Sequence, residues 1–180
     1  MDELQLIEGC RKGDRCAQKT LYETYARKMM GVCLRYIGDR ETAKDILQDG
    51  FLKVLTHIET YHGEGSFEGW LRKIFVNCAL EHLRKGDVLR ESTDLDHAAE
   101  LTQNQSSPLS DISAAELMRL IQSLPIGFRT VFNLFAIEGY SHKEISQQLQ
   151  ITESTSRSQY ARAKQMLQRK VNDLYGENRK

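Results

Sequence analysis

Apolar side chains recur at three- and four-residue steps along nearly the whole chain, and strand-like alternation is almost absent. Over 180 residues only Pro108 and Pro125 interrupt that rhythm. A side-chain period near 3.6 buries a single face only in an α-helix, so the chain is confined to an all-α fold. The pattern predicts helices over about Asp2–Cys10 and Asp14–Ile37, the second with Leu21, Tyr25, Met29, Val32 and Tyr36 on one face. Gly38-Asp39 breaks the run. A helix from about Arg40 to Glu59 turns Ala43, Ile46, Leu47, Phe51, Val54 and Ile58 inward. Tyr61-His62-Gly63-Glu64-Gly65 is too glycine-rich for helix. Ser66 is placed to cap the next helix, which reaches about Lys85 with Phe67, Leu71, Ile74 and Cys78 inward.

Residues 86–112 lose the helical period. They are rich in Ser, Asn, Gln and Thr, contain Pro108, and set Arg90 against six acids. This composition buries too little apolar surface to fold alone and reads as a flexible acidic linker. The chain therefore divides into a helical domain at 1–85, a linker at 86–112 and a second helical domain at 113–180. Net charge is zero overall but is +1, −5 and +4 over these three segments. The distribution, not the sum, is what a polyanionic partner would meet.

In the second domain Ser113 and Glu116 form a capping-box pattern that opens a helix to Leu124. Pro125 suits the start of the next helix, which carries Phe128, Val131, Phe132 and Phe135 and ends near Gly139. Ser141 with Glu144 is a further capping box. Ile145 and Leu149 follow, then a break at Gln150–Thr152, with Thr152 able to cap a last helix. There Ser156, Tyr160, Ala163 and Leu167 form an inward face, and Ser154, Thr155, Arg157, Ser158, Ala161, Arg162 and Gln165 point outward. From Ser154 to Lys170 the charges are Arg157, Arg162, Lys164, Arg169 and Lys170, with no acid. A short helix, a tight turn and a longer helix with an outward Arg/Ser face suit a DNA major groove; the competing reading is a helical hairpin with a solvated basic face.

Two constellations stand out in the first domain. Asp45, Gln48 and Asp49 share one helix face, either merely solvated or an acidic docking surface for a basic partner. Trp70, Lys73, Asn77 and Arg84 lie on one side of the helix after the glycine loop, with Tyr61 opening that loop. Rings, amides and cations beside a loop suit single-stranded nucleic acid, although Trp70 fits a core position at least as well and Tyr61 can simply cover the loop. Gly50 in mid-helix costs about 1 kcal/mol relative to Ala and suggests close approach of another backbone.

No catalytic constellation is apparent, so the chain is expected not to be an enzyme. No cofactor or metal is expected either: Cys78 and His82 form an i,i+4 pair with no second pair nearby. Cys10, Cys16, Cys33 and Cys78 show no metal or redox spacing and are expected as reduced, buried thiols of a cytoplasmic protein. The acidic N-terminus lacks the apolar run of a signal peptide, and no segment suits membrane insertion.

Three stretches together resemble the sigma-70 family of bacterial RNA polymerase sigma factors, in its extracytoplasmic-function group, across about Leu4 to Val171. DILQDGFLKV (Asp45–Val54) is similar to the family's polymerase-docking helix. TYHGEGSFEGWLRKIFVNCALEHLRK (Thr60–Lys85) is similar to the loop and helix that open the −10 promoter element. SLPIGFRTVFNLFAIEGYSHKEISQQLQITESTSRSQYARAKQML (Ser123–Leu167) is similar to the −35-binding helix-turn-helix. The resemblance implies that Asp45, Gln48 and Asp49 bind core RNA polymerase. Tyr61, Lys73, Asn77 and Arg84 would bind −10 DNA, with the Tyr61 loop receiving a flipped base. Thr155, Arg157, Ser158 and Arg162 would face −35 promoter DNA, and the linker would run toward the RNA exit path. It also implies an anti-sigma protein as a partner. The chain departs from the family at Asp49 (often Glu), Gly50 (bulkier), Ser156 (commonly Val), Gln159 (frequently Arg) and Ala161 (larger), so slightly altered docking is expected and the −35 sequence does not carry over. With only a short stretch after the last basic helix, no extra regulatory domain is expected. The alternative is a stand-alone helix-turn-helix regulator binding palindromes as a dimer.

Overall fold

Capping residues set the helix boundaries, at Ser113 and Ser141 as read from the sequence and also at Asp2, Asp14 and Asp39. The computed structural model of the chain describes residues 2–86 and 113–176. Apart from Gly86, the predicted linker at 86–112 lies outside the described residues. The chain divides into two compact units, Met1–Lys85 and Gly86–Lys180, and no strand occurs among the described residues.

In the first unit α1 spans Glu3–Arg11, α2 Arg15–Ile37, α3 Arg40–His57 and α4 Phe67–Lys85. Asp2 begins α1 with a reciprocal box, its carboxylate accepting from the Gln5 amide at 2.8 Å. Asp14 and Asp39 accept from the first-turn amides of α2 and α3. These bonds fill helix-end donors that would otherwise be orphaned. Gly38, at φ 80°, ends α2 in a conformation where a Cβ would clash. The predicted helix to Glu59 stops at His57 and tightens into a 3₁₀ turn, Ile58–Thr60.

Helices α2, α3 and α4 pack against one another, and α1 lies on α2 and the 3₁₀ turn. Tyr36, Phe67, Phe75, Leu21, Met29, Leu71 and Leu80 are wholly buried, each contributing about 1.5–3 kcal/mol of burial free energy. The predicted inner face of α4 was too narrow. Phe75, Val76, Ala79, Leu80 and Leu83 are buried as well, and Ile74 is only half-buried, because α4 is covered from two sides. Of the cysteines expected inside, Cys16 is exposed in the first turn of α2 and the other three are buried.

Gly50 also differs from expectation. What approaches it is not backbone but the Phe75 ring, whose Cε1 would lie 2.2 Å from an added Cβ. Gly50 is therefore an internal notch between α3 and α4. It points into the unit.

In the second unit α5 spans Ala114–Gln122, α6 Ile126–Phe132, α7 His142–Leu149 and α8 Glu153–Gly176. Leu120, Ile121 and Leu124 pack against Ala163, Leu167 and Val171 of α8. The predicted helix through Gly139 changes pitch: Asn133–Ile137 forms a π turn, closed by the Glu138 amide donating to the Asn133 carbonyl at 3.0 Å. Phe128, Phe132 and Phe135 are half-buried rather than central. Arg129, Thr130, Val131, Asn133 and Leu134 occupy the inside instead. Arg129 is 4 % exposed and donates to the Gln122 carbonyl at 2.9 Å. A cation is favoured there by the negative end of the α5 dipole.

Candidate nucleic-acid interface and docking surface

The α3 stripe is built by the same periodicity that buries the opposite face. Ala43, Ile46, Leu47, Gly50, Phe51 and Val54 face inward, which leaves Asp45, Gln48 and Asp49 exposed together. Asp45 and Asp49 form no ion pair among the described residues. Leu52, one step of seven from Asp45 and one of four from Gln48, sits in the middle of this stripe and is 64 % exposed. It was missed in the sequence reading, although an apolar residue interrupting a polar face is the signal that reveals it.

The glycine loop and α4 form a second surface. Gly63 and Gly65 take positive φ of 83° and 78°, conformations that require glycine. Tyr61 does not stand out from the loop. It is 7 % exposed, and its hydroxyl donates to the Gly65 carbonyl at 2.9 Å. Its ring lies 5.1 Å from Phe67 and 5.5 Å from the half-buried Trp70, which stacks on Phe67 at 5.7 Å and 16°. Tyr61 therefore frames the loop from beneath, and the exposed residues are His62 to Ser66. Tyr25 closes the other side of Phe67. Burial, with the nearby Glu3 carboxylate, pushes the Tyr25 phenol up to about 12.

Lys73, Asn77 and Arg84 are all exposed on α4 and fall within one narrow sector of the helical wheel. Glu81 shares that side, but Lys53 of α3 holds it at 2.6 Å. That hydrogen bond pulls the Glu81 carboxyl below its ordinary range. The bridge neutralises an acid that would otherwise repel phosphate from the Lys73–Arg84 face.

In the second unit the helix-turn-helix closes through local bonds. Ser141 and Glu144 cap one another, Gln150 turns the chain at φ 56°, and the Thr152 hydroxyl accepts from the Thr155 amide at 3.0 Å. Ser154, Arg157, Ser158 and Ala161 are exposed, and Thr155, Arg162 and Gln165 are half-buried. Arg157 reaches Glu153 at 3.3 Å. An exposed pair of this kind is worth under about 1 kcal/mol, so it yields readily to a phosphate or a guanine. The Ser158 hydroxyl donates to the Thr155 carbonyl, and the Thr155 hydroxyl is already bonded to Thr152.

One position reads differently in three dimensions. Gln159 is 3 % exposed and belongs to the inward face with Ser156 and Ala163, so a longer residue there would meet the core rather than DNA. Ser156 is wholly buried because His142, at the start of α7, takes it as a partner at 2.9 Å. The imidazole is stacked on Phe135 at 4.3 Å and 14°. Burial, then the Arg157 charge, lowers the His142 pKa from its ordinary 6.5, with Glu153 opposing. Folding thus favours the neutral ring. This contribution to stability is complete above the ordinary value and is lost as pH falls through the folded one. NMR titration of His142 is expected to show a midpoint below 6.5, and the pH dependence of α7–α8 stability should flatten in His142→Gln. A midpoint at or above the ordinary value would contradict the packing described.

These surfaces match known sequences in the same order. The family model described as Sigma-70 region 2 matches residues 21–88, and that described as Sigma-70, region 4 matches residues 114–167. The chain is 29 % identical over 184 residues to the RNA polymerase sigma-H factor of Pseudomonas aeruginosa, covering 96 % of this chain and 95 % of that one. It is 29 % identical over 180 residues to the ECF RNA polymerase sigma-E factor of Haemophilus influenzae, covering 94 % and 95 %. Among solved structures, the sigma factor RpoE in complex with the anti-sigma factor NepR from Bartonella quintana is 18 % identical with a TM-score of 0.50, covering 84 % of this chain and 94 % of that one. CnrH in complex with the cytosolic domain of CnrY is 18 % identical with a TM-score of 0.51, covering 93 % and 96 %. At that identity the likeness is one of fold.

Proposed function

The chain belongs to the sigma-70 family of bacterial RNA polymerase sigma factors, in its extracytoplasmic-function group, and from that membership we propose how its two units divide the work of starting transcription. It is a promoter-specificity factor. It binds core RNA polymerase and directs initiation by recognising the −35 element as duplex and the −10 element as single strand. The observation that carries this is the presence of both regions, in order, in one chain. A stand-alone regulator has no use for the first of them.

Asp45, Gln48 and Asp49, joined by Leu52, meet basic helices of the polymerase. The charges steer approach and fix register, and Leu52 adds buried apolar area. Lys73 and Arg84 hold the phosphates of the separated −10 strand, Asn77 reads base edges, and the loop over Tyr61 receives an unpaired base. Arg157 and Arg162 read the −35 major groove while Ser158 and Thr155 fix register. Unstacking a base costs a few kcal/mol, which docking and −35 contacts offset together. No bond is made or broken by the protein itself, and no cofactor enters. It acts in the cytoplasm, beside the polymerase; among the described residues no helix is long and apolar enough to cross a membrane. An anti-sigma protein would silence it by covering the α3 stripe or the outward face of α8.

Run-off transcription with purified core polymerase on a library of genomic fragments tests this reading. New start sites are expected only when the chain is added, and their absence would contradict it. Replacing Arg157 and Arg162 together by Ala is expected to lower output from −35-dependent promoters about 100-fold, each good base contact being worth about 1–3 kcal/mol. Binding to core polymerase should not change.

A further inference from the structure

Arg11, the last residue of α1, is a long way in sequence from the loop it touches. Its Nη2 donates to the main-chain carbonyl of Tyr61 at 2.5 Å. Glu8 and Glu59 flank the guanidinium at 3.6 and 3.8 Å and aim it at that carbonyl. The arginine side chain is 29 % exposed, whereas the two carboxylates are 53 % and 71 % exposed. Exposed ion pairs contribute little by themselves, so the bond to the buried tyrosine's carbonyl is the contact of consequence. A charge-assisted bond of this kind is about twice as strong as a neutral one.

The loop is thereby held at both ends. Arg11 fixes the carbonyl of Tyr61, and the Tyr61 hydroxyl fixes the carbonyl of Gly65. Between them lie two glycines at positive φ, residues that lose the most conformational freedom on ordering. Beside the tether, Leu4, Ile7, Glu8 and Arg11 of α1 face Tyr61, His62 and Gly63 across a cleft of about 470 Å³. So α1 is one wall of the space against which the loop is set.

We propose that Arg11 is a positioning residue for −10 recognition: it tethers α1 to the Tyr61 carbonyl and keeps the loop in the shape that takes an unpaired base. This rests on the reading that the Tyr61 loop captures such a base. Arg11 itself need not touch DNA. Its part is to order the loop in advance, so that less of the energy of capture is lost to fixing two glycines.

Two variants of the full chain, assembled with core polymerase, test the tether. Arg11→Met keeps the aliphatic stem and removes the donors, and Arg11→Lys keeps one donating group. Amide hydrogen exchange at residues 61–65 is expected to quicken about tenfold in Arg11→Met. Strand opening at −10, followed by permanganate reactivity of unpaired thymines, should slow by a similar factor. Core affinity and Tm should stay near those of the unaltered chain, and Arg11→Lys should lie between. Loop exchange unchanged in Arg11→Met would overturn the tether, and so would an opening defect matched by an equal loss of core affinity. An unaltered chain that opens no promoter would overturn the functional reading instead.

Discussion

Reversing both carboxylates of the α3 stripe, Asp45→Lys with Asp49→Lys, is expected to weaken binding to core RNA polymerase about 100-fold, within the range for charge pairs at protein interfaces. Both side chains are exposed, and neither is engaged in an ion pair among the described residues. The fold therefore loses nothing when they change, and Tm should hold. The effect should shrink as salt is raised, since exposed charges are screened over about 10 Å at 0.1 M. Leu52→Ser is expected to cost about tenfold with little salt dependence, because it removes an exposed apolar side chain that docking would bury rather than a charge. Fluorescence anisotropy of the labelled chain against core polymerase at two salt concentrations separates these effects. Equal affinity for the reversed and unaltered chains would remove the stripe from the interface.

Gly50→Ala is expected to destabilise the N-terminal unit by about 1–2 kcal/mol. The overpacking penalty is about 1–3 kcal/mol, and Ala regains up to about 1 kcal/mol of helix propensity. Phe75 cannot step aside. It is wholly buried, and the ring of Phe51 meets its own at 5.1 Å, edge to face. For a unit of this size the change lowers Tm by several degrees. Combining it with Phe75→Leu should cost less than the sum of the two single changes, because the smaller side chain leaves room for the new methyl. Urea unfolding of the three variants measures the coupling, and strict additivity would show that the ring and the notch are independent. Below its Tm the Gly50→Ala chain should still bind polymerase, since the notch faces inward.

Much of the fold was legible because its instructions are local. Helix caps at Asp2, Asp14, Asp39, Ser113 and Ser141 act on amides two or three residues away. The inward faces of α2 and α3 follow from spacing alone. The outward set on α8 emerged from the same periodicity, with Ser154, Arg157, Ser158 and Ala161 exposed as expected. Where the reading went astray, the usual cause was packing against another element. Tyr61 left two readings open, a ring displayed to nucleic acid or a cover for the loop, and its contacts with Phe67 and Trp70 match the second. Gln159 was assigned to neither face of α8, and it lies with Ser156 on the buried side.

The amino-acid sequence by itself determined that the protein is helical, where its helices begin, which faces are apolar, and that an acidic stripe on one helix precedes a basic outward face on the last. It could do so because hydrogen bonding and side-chain period within a helix reach no further than one turn. Only the tertiary structure decided that Gly50 receives Phe75, that Ser156 belongs to His142, and that Arg11 holds the loop at Tyr61. Each of these joins residues on different helices or loops. Their meeting depends on how whole helices pack, and no local spacing encodes that.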